Sequence, residues 1–117
     1  MNKIIFNWLI LLLYMFFIFY FSSLEKIELI NKTPQFFLKD KIIHFVEYGI
    51  LSLLVYNAFK QHSFFNKDVI FYSIMFSFIY AITDEVHQIF IPFREFSVYD
   101  LIADFIGSCS VFIKRLF

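Results

Sequence analysis

Glycine, proline, cysteine and charged residues are all scarce in this chain of 117 residues. It has two Gly, two Pro and one Cys, and 17% of its residues are charged. The lone cysteine, Cys109, excludes an intramolecular disulfide framework and a CxxC zinc pattern. Its apolar surroundings predict a small buried hydrophobic side chain. The formal net charge is zero, so the sequence provides no basic surface that follows a phosphate backbone, and we predict no nucleic-acid partner.

Hydrophobic residues, by contrast, make up 61% of the chain, with 20 Phe and 7 Tyr. A soluble domain of this size has no interior large enough to bury so many rings. We predict membrane spans at approximately residues 4–21, 42–59, 69–90 and 98–113, since each run approaches the roughly 17–25 residues that cross a bilayer. Backbone groups in lipid must bond internally, so the predicted fold is all-α: one domain, residues 1–117, forming a polytopic transmembrane bundle of four helices.

The first apolar run follows Lys3 and has the position of a secretory signal. Bulky aromatic residues precede Ser22-Ser23, however, and no A-x-A-like cleavage site is visible, so we expect a retained anchor. Residues 22–41 mix charges with Thr33-Pro34, which predicts a loop lying partly in the membrane interface.

Ionisable residues gather at three ends of the predicted spans, namely the start of the second, the end of the third and the start of the fourth. An antiparallel bundle places all three ends on one side. Charge is costly in lipid, so such groups normally pair with each other or face an aqueous cavity, and they mark a functional site. Basic residues are divided equally between the two sides. With Lys41 and Arg94 set aside as members of the site, the positive-inside rule predicts cytoplasmic termini and polar clusters outside.

The first cluster opens the second span. Asp40, His44 and Glu47 are spaced four and then three residues, so they share one helix face, and Lys41 lies beside them. Asp40 has an alternative interpretation as an N-cap. His44 and Glu47 have an alternative as a hydrogen-bonded pair that only packs the helix. Glu47 lies deeper in the membrane, which favours a functional reason for its charge.

The second cluster ends a polar seam along the third span. The seam follows helical spacing and comprises Ser73, Ser77, Tyr80, Asp84 and either His87 or Gln88. Small serines let helices approach closely, so we interpret the lower seam as packing. At the other end, the string Asp84-Glu85-x-His87-Gln88 favours function.

The third cluster opens the fourth span. Ser97-x-x-Asp100 has a capping-box-like form, which gives Asp100 a structural alternative. Asp104, one turn deeper, has no such alternative. Gly107 and Ser108 follow on nearly the same face and should let another helix approach that carboxylate.

Arg94 is the most plausible counter-charge for Asp104. Pro92 cannot continue an ideal helix, so the chain should turn there and hold Arg94 over the mouth of the bundle. A forked guanidinium suits a carboxylate or a phosphate. The structural alternative is an internal salt bridge to an acidic residue of the other clusters.

The chain resembles the VanZ-like membrane protein family over nearly its whole length. The matching strings, in order, are Ser22-Ser23, Asp40-Lys41-x-x-His44-x-x-x-Tyr48, Asp84-Glu85-x-His87-Gln88, Arg94 and Asp100-x-x-Ala103-Asp104-x-x-Gly107. The resemblance implies a small polytopic protein of the bacterial cytoplasmic membrane, with a namesake linked to low-level teicoplanin resistance and no established reaction. Two departures are Phe93, where members often carry Gly, and Asp104, where they often carry Asn and which adds a negative charge.

We consider first an enzyme or modifier that acts at the outer leaflet on a membrane lipid or a lipid-linked, anionic envelope precursor. His44 or His87 would be the general acid or base. Asp84 or Glu85 would orient the imidazole, and Arg94 would hold an anionic headgroup. The other residues predicted to bind the substrate are Asp40, Lys41, Glu47, Gln88, Asp100 and Asp104.

Three alternatives stay open beside this one. A divalent metal is an alternative because helical bundles gather carboxylates and imidazoles around metals. A non-catalytic protein would bind a ligand or use the ion network to hold its helices together. Proton-coupled transport ranks last, because four spans give little room for alternating access unless the protein forms a homo-oligomer.

Overall fold

The structure, a computed structural model, describes residues 2–23, 34–65, 68–91 and 96–116. These residues form four α-helices and no strand, in agreement with the predicted all-α fold. The helices are α1 (Lys3–Ser22), α2 (Pro34–Phe59), α3 (Val69–Gln88) and α4 (Val98–Ser108), with a 3-10 turn at Ser63–Phe65 and a 3-10 segment at Cys109–Arg115 that continues α4.

Three of these helices are long and apolar enough to cross a membrane. They are α1, the part of α2 from Lys39 to Phe59, and α3, with mean hydropathies of 2.3, 1.5 and 1.5. Large apolar side chains such as Leu13 and Phe16 point outward, each 68% exposed, whereas several serines and carboxylates are buried. Apolar side chains on the outside and polar side chains on the inside indicate a membrane protein, because apolar groups are stable in contact with lipid whereas exposed polar groups are not.

Helix α2 begins eight residues before its apolar run, at Pro34. The prediction of a loop from 22 to 41 was therefore wrong for its last part. Proline suits the first turn of a helix, since its ring fixes φ near the helical value and its missing N–H would have no intrahelical partner. Asp40 consequently lies inside α2 and is not its N-cap. Residues 24–33 of the predicted loop lie outside the described residues.

Helix α2 packs against the other three helices, and its closest contact is with α4. A Cβ atom added to Gly107 would meet the backbone oxygen of Phe45 at 2.2 Å. At Gly49, which faces the same interface, an added Cβ would lie 3.3 Å from the Gly107 oxygen. The prediction that Gly107 lets another helix approach Asp104 is confirmed, because no larger residue fits against Phe45.

The lower seam of α3 serves packing. Ser73 and Ser77 are fully buried, and their hydroxyls donate to the carbonyls of Val69 and Ser73 at 2.7 and 2.8 Å. Each hydroxyl is thus hydrogen-bonded within its own helix, so neighbouring helices can pack against α3 without providing a polar partner. Cys109 is half-buried against the apolar group around Val111, so it is less enclosed than expected.

Candidate functional site

Four helix ends meet on one side of the bundle: the ends of α1 and α3 and the beginnings of α2 and α4. Polar side chains are buried there in a molecule whose outer surface is mostly apolar. The buried members are Ser22, His44, Asp84, Glu85, Gln88, Asp100 and Asp104. The three sequence clusters therefore share one region, which we call the polar site.

One part of the polar site joins α2 to α4. The Nδ1 atom of His44 lies 2.8 Å from the Asp104 Oδ1 atom. The other ring nitrogen, Nε2, lies 3.6 Å from Asp100 Oδ2 and 3.9 Å from Asp40 Oδ1. The predicted orienting partners, Asp84 and Glu85, do not form the hydrogen bond to His44, because Asp104 on α4 already takes Nδ1.

Lys41 holds two carboxylates of the same region. Its ammonium group donates to Asp40 Oδ2 at 3.1 Å and also contacts Asp100 Oδ1. The Ser97 hydroxyl accepts a hydrogen bond from the Asp100 backbone N–H at 3.2 Å, so the predicted cap is present while the Asp100 side chain contacts Lys41. We refer to Asp40, Lys41, His44, Asp100 and Asp104 as the α2–α4 cluster.

Glu85 is the unusual member of the polar site. It is fully buried, and neither of its carboxylate oxygens has a hydrogen-bond partner among the described residues. Its carboxyl group is directed at Asp100, with His44 and Asp104 close by. The Oδ2 atom of Asp104 is likewise buried without a described partner. Buried carboxylate oxygens cost free energy unless a proton or a cation compensates them.

A second group joins α1 to α3. The Ser23 hydroxyl lies 2.9 Å from His87 Nε2, and the imidazole stacks on Phe19 with ring centroids 4.3 Å apart. The Gln88 amide donates to the Ser22 hydroxyl at 3.2 Å. We refer to Ser22, Ser23, Asp84, His87 and Gln88 as the α1–α3 cluster. His87 thus lies against α1, apart from His44.

Tyr48 lies between the two clusters. It is fully buried, and its hydroxyl donates to Asp84 Oδ2 at 3.4 Å, one helical turn below His44. Asp84 Oδ1 has no partner among the described residues. The prediction of site residues omitted Tyr48, Ser22 and Ser23. The spacing of four between His44 and Tyr48 was the available signal, since it places both on one face of α2.

Two predicted residues are not among the contacts described above: Glu47 lies on another side of α2, and Arg94 is outside the described residues. Glu47 is half-buried on the side of α2 near Tyr14 and Tyr80, so it does not join the contacts of His44. The Tyr14 hydroxyl donates to the Glu47 backbone carbonyl at 2.8 Å. Arg94 and the turn predicted at Pro92 lie outside the described residues.

An apolar groove runs along the outer surface between α2 and α4 and leads to the polar site. Its volume is about 370 Å³, and Lys41 lies at its polar end. The apolar lining comprises Ile42, Phe45, Tyr99, Ile102, Ala103 and Ile106. A chain of methylene groups is the kind of ligand that such a lining accepts, because it offers almost no polar contact.

A protein-family model described as VanZ/LLP1 matches residues 6–113 of the chain. The chain belongs to the VanZ/LLP1 family. A search of curated proteins and a search of solved structures found no significant match to this chain. The predicted resemblance is thereby confirmed over nearly the whole chain.

Membership in the VanZ/LLP1 family and the three membrane-like helices together support a VanZ-like membrane protein. The matched residues include every member of the two clusters of the polar site.

Proposed function

We propose that this VanZ/LLP1 protein crosses the bacterial cytoplasmic membrane four times and binds the headgroup of a lipid-linked envelope precursor at its polar site. The termini would be cytoplasmic and the polar site outside. One observation carries the proposal: a buried, carboxylate-rich site lies beside an apolar, lipid-facing groove, with Lys41 common to both.

The length of the last segment supports a fourth crossing. The 11 residues of α4 extend about 16 Å at the rise of an α-helix. The 3-10 segment adds 7 residues and about 14 Å. Their sum is near the roughly 30 Å of the hydrocarbon core, so the segment is long enough to cross it.

The chemistry of the site favours a headgroup rich in hydrogen-bond donors. The described part of the polar site contains five carboxylates, those of Asp40, Asp84, Glu85, Asp100 and Asp104, and three basic side chains, those of Lys41, His44 and His87. Carboxylates accept hydrogen bonds from hydroxyl, amide and ammonium groups, which sugar and peptide headgroups carry. Lys41, which is 20% exposed, is positioned to meet a phosphate at the rim.

The groove between α2 and α4 supports a lipid as the occupant. Its lining is apolar and it opens on the face that contacts lipid, so an acyl or isoprenoid chain would lie along Phe45 and Ile102. Such a chain would bring the first phosphate of the headgroup to Lys41. This route explains why an ammonium group stands where the apolar lining ends.

The His44–Asp104 pair is suited to proton transfer on the bound headgroup. A carboxylate at Nδ1 orients an imidazole and leaves Nε2 for the reacting group, as in other acid–base catalysts. His44 is therefore the better candidate for a general base than His87, whose ring lies between Ser23 and Phe19.

A purely structural role is the second candidate, and one observation favours it. Lys41 and His44 of α2 contact Asp100 and Asp104 of α4, so the same ion network holds two helices together. In that case, no lipid-linked ligand would be required. Binding and stability measured on the same variants separate the two candidates.

The test uses the full chain in lipid nanodiscs with a labelled polyprenyl diphosphate that carries a sugar. We expect saturable binding that Lys41→Gln weakens roughly tenfold, about 1.4 kcal/mol. Lys60→Gln is the matched control, because Lys60 is exposed at the opposite end of α2 and should bind normally. Product formation that His44→Ala abolishes would identify an enzyme. Absence of any binding by the unaltered, folded protein would refute the proposal.

The resistance link belongs to the same proposal. In a susceptible bacterial host, production of the protein should raise tolerance to teicoplanin, and Lys41→Gln should remove that increase without reducing the amount of inserted protein. Equal susceptibility of cells with the unaltered and the Lys41→Gln protein would contradict the link.

A further inference from the structure

The α2–α4 cluster brings three potential metal ligands together. Asp40, His44 and Asp100 each offer one ligand atom, and these atoms all lie within 4.8 Å of one another. His44 and Asp100 are buried, and Asp40 is half-buried, so the three do not form an ordinary solvated acidic patch. From this geometry we propose that the cluster binds a divalent transition-metal ion, such as Zn²⁺ or Mn²⁺, through Asp40, His44 and Asp100. A metal ion on Nε2 would take the place of the general-base role proposed for His44.

The distances around His44 Nε2 fit a shared ion better than hydrogen bonds. Nε2 lies 3.6 Å from Asp100 Oδ2 and 3.9 Å from Asp40 Oδ1, beyond the usual range of a hydrogen bond. A tetrahedral ion with bonds of about 2.0–2.2 Å holds its ligand atoms roughly 3.3–3.6 Å apart. An inward movement of the Asp40 carboxylate would bring the three ligand atoms to this spacing and leave the fourth position open.

Asp104 provides the support that a metal-binding histidine usually has. With a proton on Nδ1, His44 donates to Asp104 Oδ1 at 2.8 Å, which fixes the ring and directs the Nε2 lone pair at the two carboxylates. Histidine ligands commonly donate their second N–H to a carboxylate in this way. In neutral His44 the Nε2 lone pair would face two carboxylates, and a metal cation between these three atoms would turn that repulsion into coordination.

Lys41 is compatible with an ion at this place. Its ammonium group contacts Oδ2 of Asp40 and Oδ1 of Asp100, whereas the atoms near His44 Nε2 are the opposite oxygens, Oδ1 and Oδ2. Lys41 therefore neutralises one oxygen of each carboxylate, and the oxygens nearest His44 Nε2 are the ones that would bind the metal.

Glu85 is a second, independent observation that points to a cation-binding site. Its side chain is fully buried, both oxygens are without a hydrogen-bond partner among the described residues, and the carboxyl group points at Asp100. A divalent ion near Asp100 would compensate this charge. Mixed imidazole and carboxylate donors suit Zn²⁺ and Mn²⁺, whereas Ca²⁺ and Mg²⁺ prefer oxygen ligands alone.

The experiment measures metal binding by the full chain in detergent after treatment with a chelator and dialysis. ZnCl₂ and MnCl₂ are titrated in separate calorimetric runs, with MgCl₂ and CaCl₂ for comparison. We expect about one Zn²⁺ or Mn²⁺ ion per chain, and affinity at least roughly tenfold lower in Asp100→Asn and His44→Ala. Ion binding is measured without lipid substrate, so a negative result leaves the proposed headgroup binding untouched.

Matched controls are available at the opposite end of the bundle. His62→Ala removes an imidazole that accepts from Trp8, and Asp68→Asn removes an exposed carboxylate, so both should bind metal as the unaltered protein does. Asp100→Asn keeps the size of the side chain, and circular dichroism verifies that this variant folds. It therefore tests the proposal even when His44→Ala does not fold. No saturable binding by the unaltered protein, or equal binding by Asp100→Asn, would overturn the proposal.

Discussion

At the scale of single residues, the polar site is defined by carboxylates that the protein buries at a cost. His44 compensates Asp104, and Lys41 compensates Asp40 and Asp100. Glu85 has no such compensation among the described residues. A buried ionised group without a partner reduces stability, so its presence in the folded protein indicates a functional reason or a bound cation.

Replacing Glu85 with glutamine should therefore stabilise the protein in the absence of metal. The amide is nearly the same size, removes a buried negative charge and can donate to the Asp100 carboxylate that Glu85 faces. We expect the free energy of unfolding to rise by about 1–2 kcal/mol. Chemical unfolding in detergent with a chelator present, followed by circular dichroism, measures this change.

Asp68→Asn is the control for that comparison, because Asp68 is exposed and makes no side-chain cap hydrogen bond at the start of α3. Its effect should stay within roughly 0.5 kcal/mol. A decrease in stability for Glu85→Gln would mean that the carboxylate is already compensated in the protein.

At the scale of secondary-structure elements, the contact between α2 and α4 positions the site. The backbones approach so closely at Gly107 that a Cβ atom would meet the Phe45 carbonyl at 2.2 Å. This approach sets the depth at which Asp104 meets His44. The helices of the site are thus held by backbone proximity as well as by ion pairs.

Gly107→Ala should consequently weaken the bundle and the site together. Overpacking of this kind costs about 1–3 kcal/mol or more, since backbone atoms must move. Gly49→Ala is the matched variant on α2, where an added Cβ would find its nearest atom at 3.3 Å, so it should cost less. Thermal unfolding of the two variants in detergent makes the comparison. Equal stability of both variants would show that α2 and α4 are not so closely packed in the membrane.

At the scale of the whole molecule, antiparallel helices collect the polar groups on one side and leave aromatic and aliphatic side chains facing outward. Three helices have the length and hydropathy of membrane spans. The opposite end has its own polar contacts, such as the hydrogen bond from Trp8 Nε1 to His62 Nε2 at 2.9 Å. Both ends therefore suit aqueous interfaces, and the composition alone does not distinguish outside from inside.

Cysteine labelling tests the proposed topology. In a Cys109→Ser background, Phe96→Cys would place a thiol at the start of α4, and Phe64→Cys would place one between α2 and α3; the native side chains are 42% and 80% exposed. An impermeant maleimide should label Phe96→Cys on intact cells and Phe64→Cys only after permeabilisation. The reverse pattern would show that the orientation is opposite to the one proposed. Labelling of both thiols on intact cells would contradict the placement of the two positions on opposite sides of the membrane.

Sequence patterns predicted the all-helical fold class and the three long apolar helices, because the length and composition of an apolar run can be read directly from the sequence. They also indicated the polar residues at the helix ends, because charge is costly in lipid. The start of α2 was misjudged, since its first turns are more polar than the run that follows. Arg94 stays a prediction because it lies outside the described residues.

The pairing of the charges was decided by tertiary structure. Spacing along α2 suggested Glu47 as a partner for His44, but the rotation of α2 against α4 presents Asp104 instead. Helical periodicity states which residues share a face of their own helix, whereas contacts across helices depend on how closely and at what angle the faces pack. The residue types therefore determined that a buried ionic site exists, and the glycine-mediated approach of α2 and α4 decided which of its atoms meet.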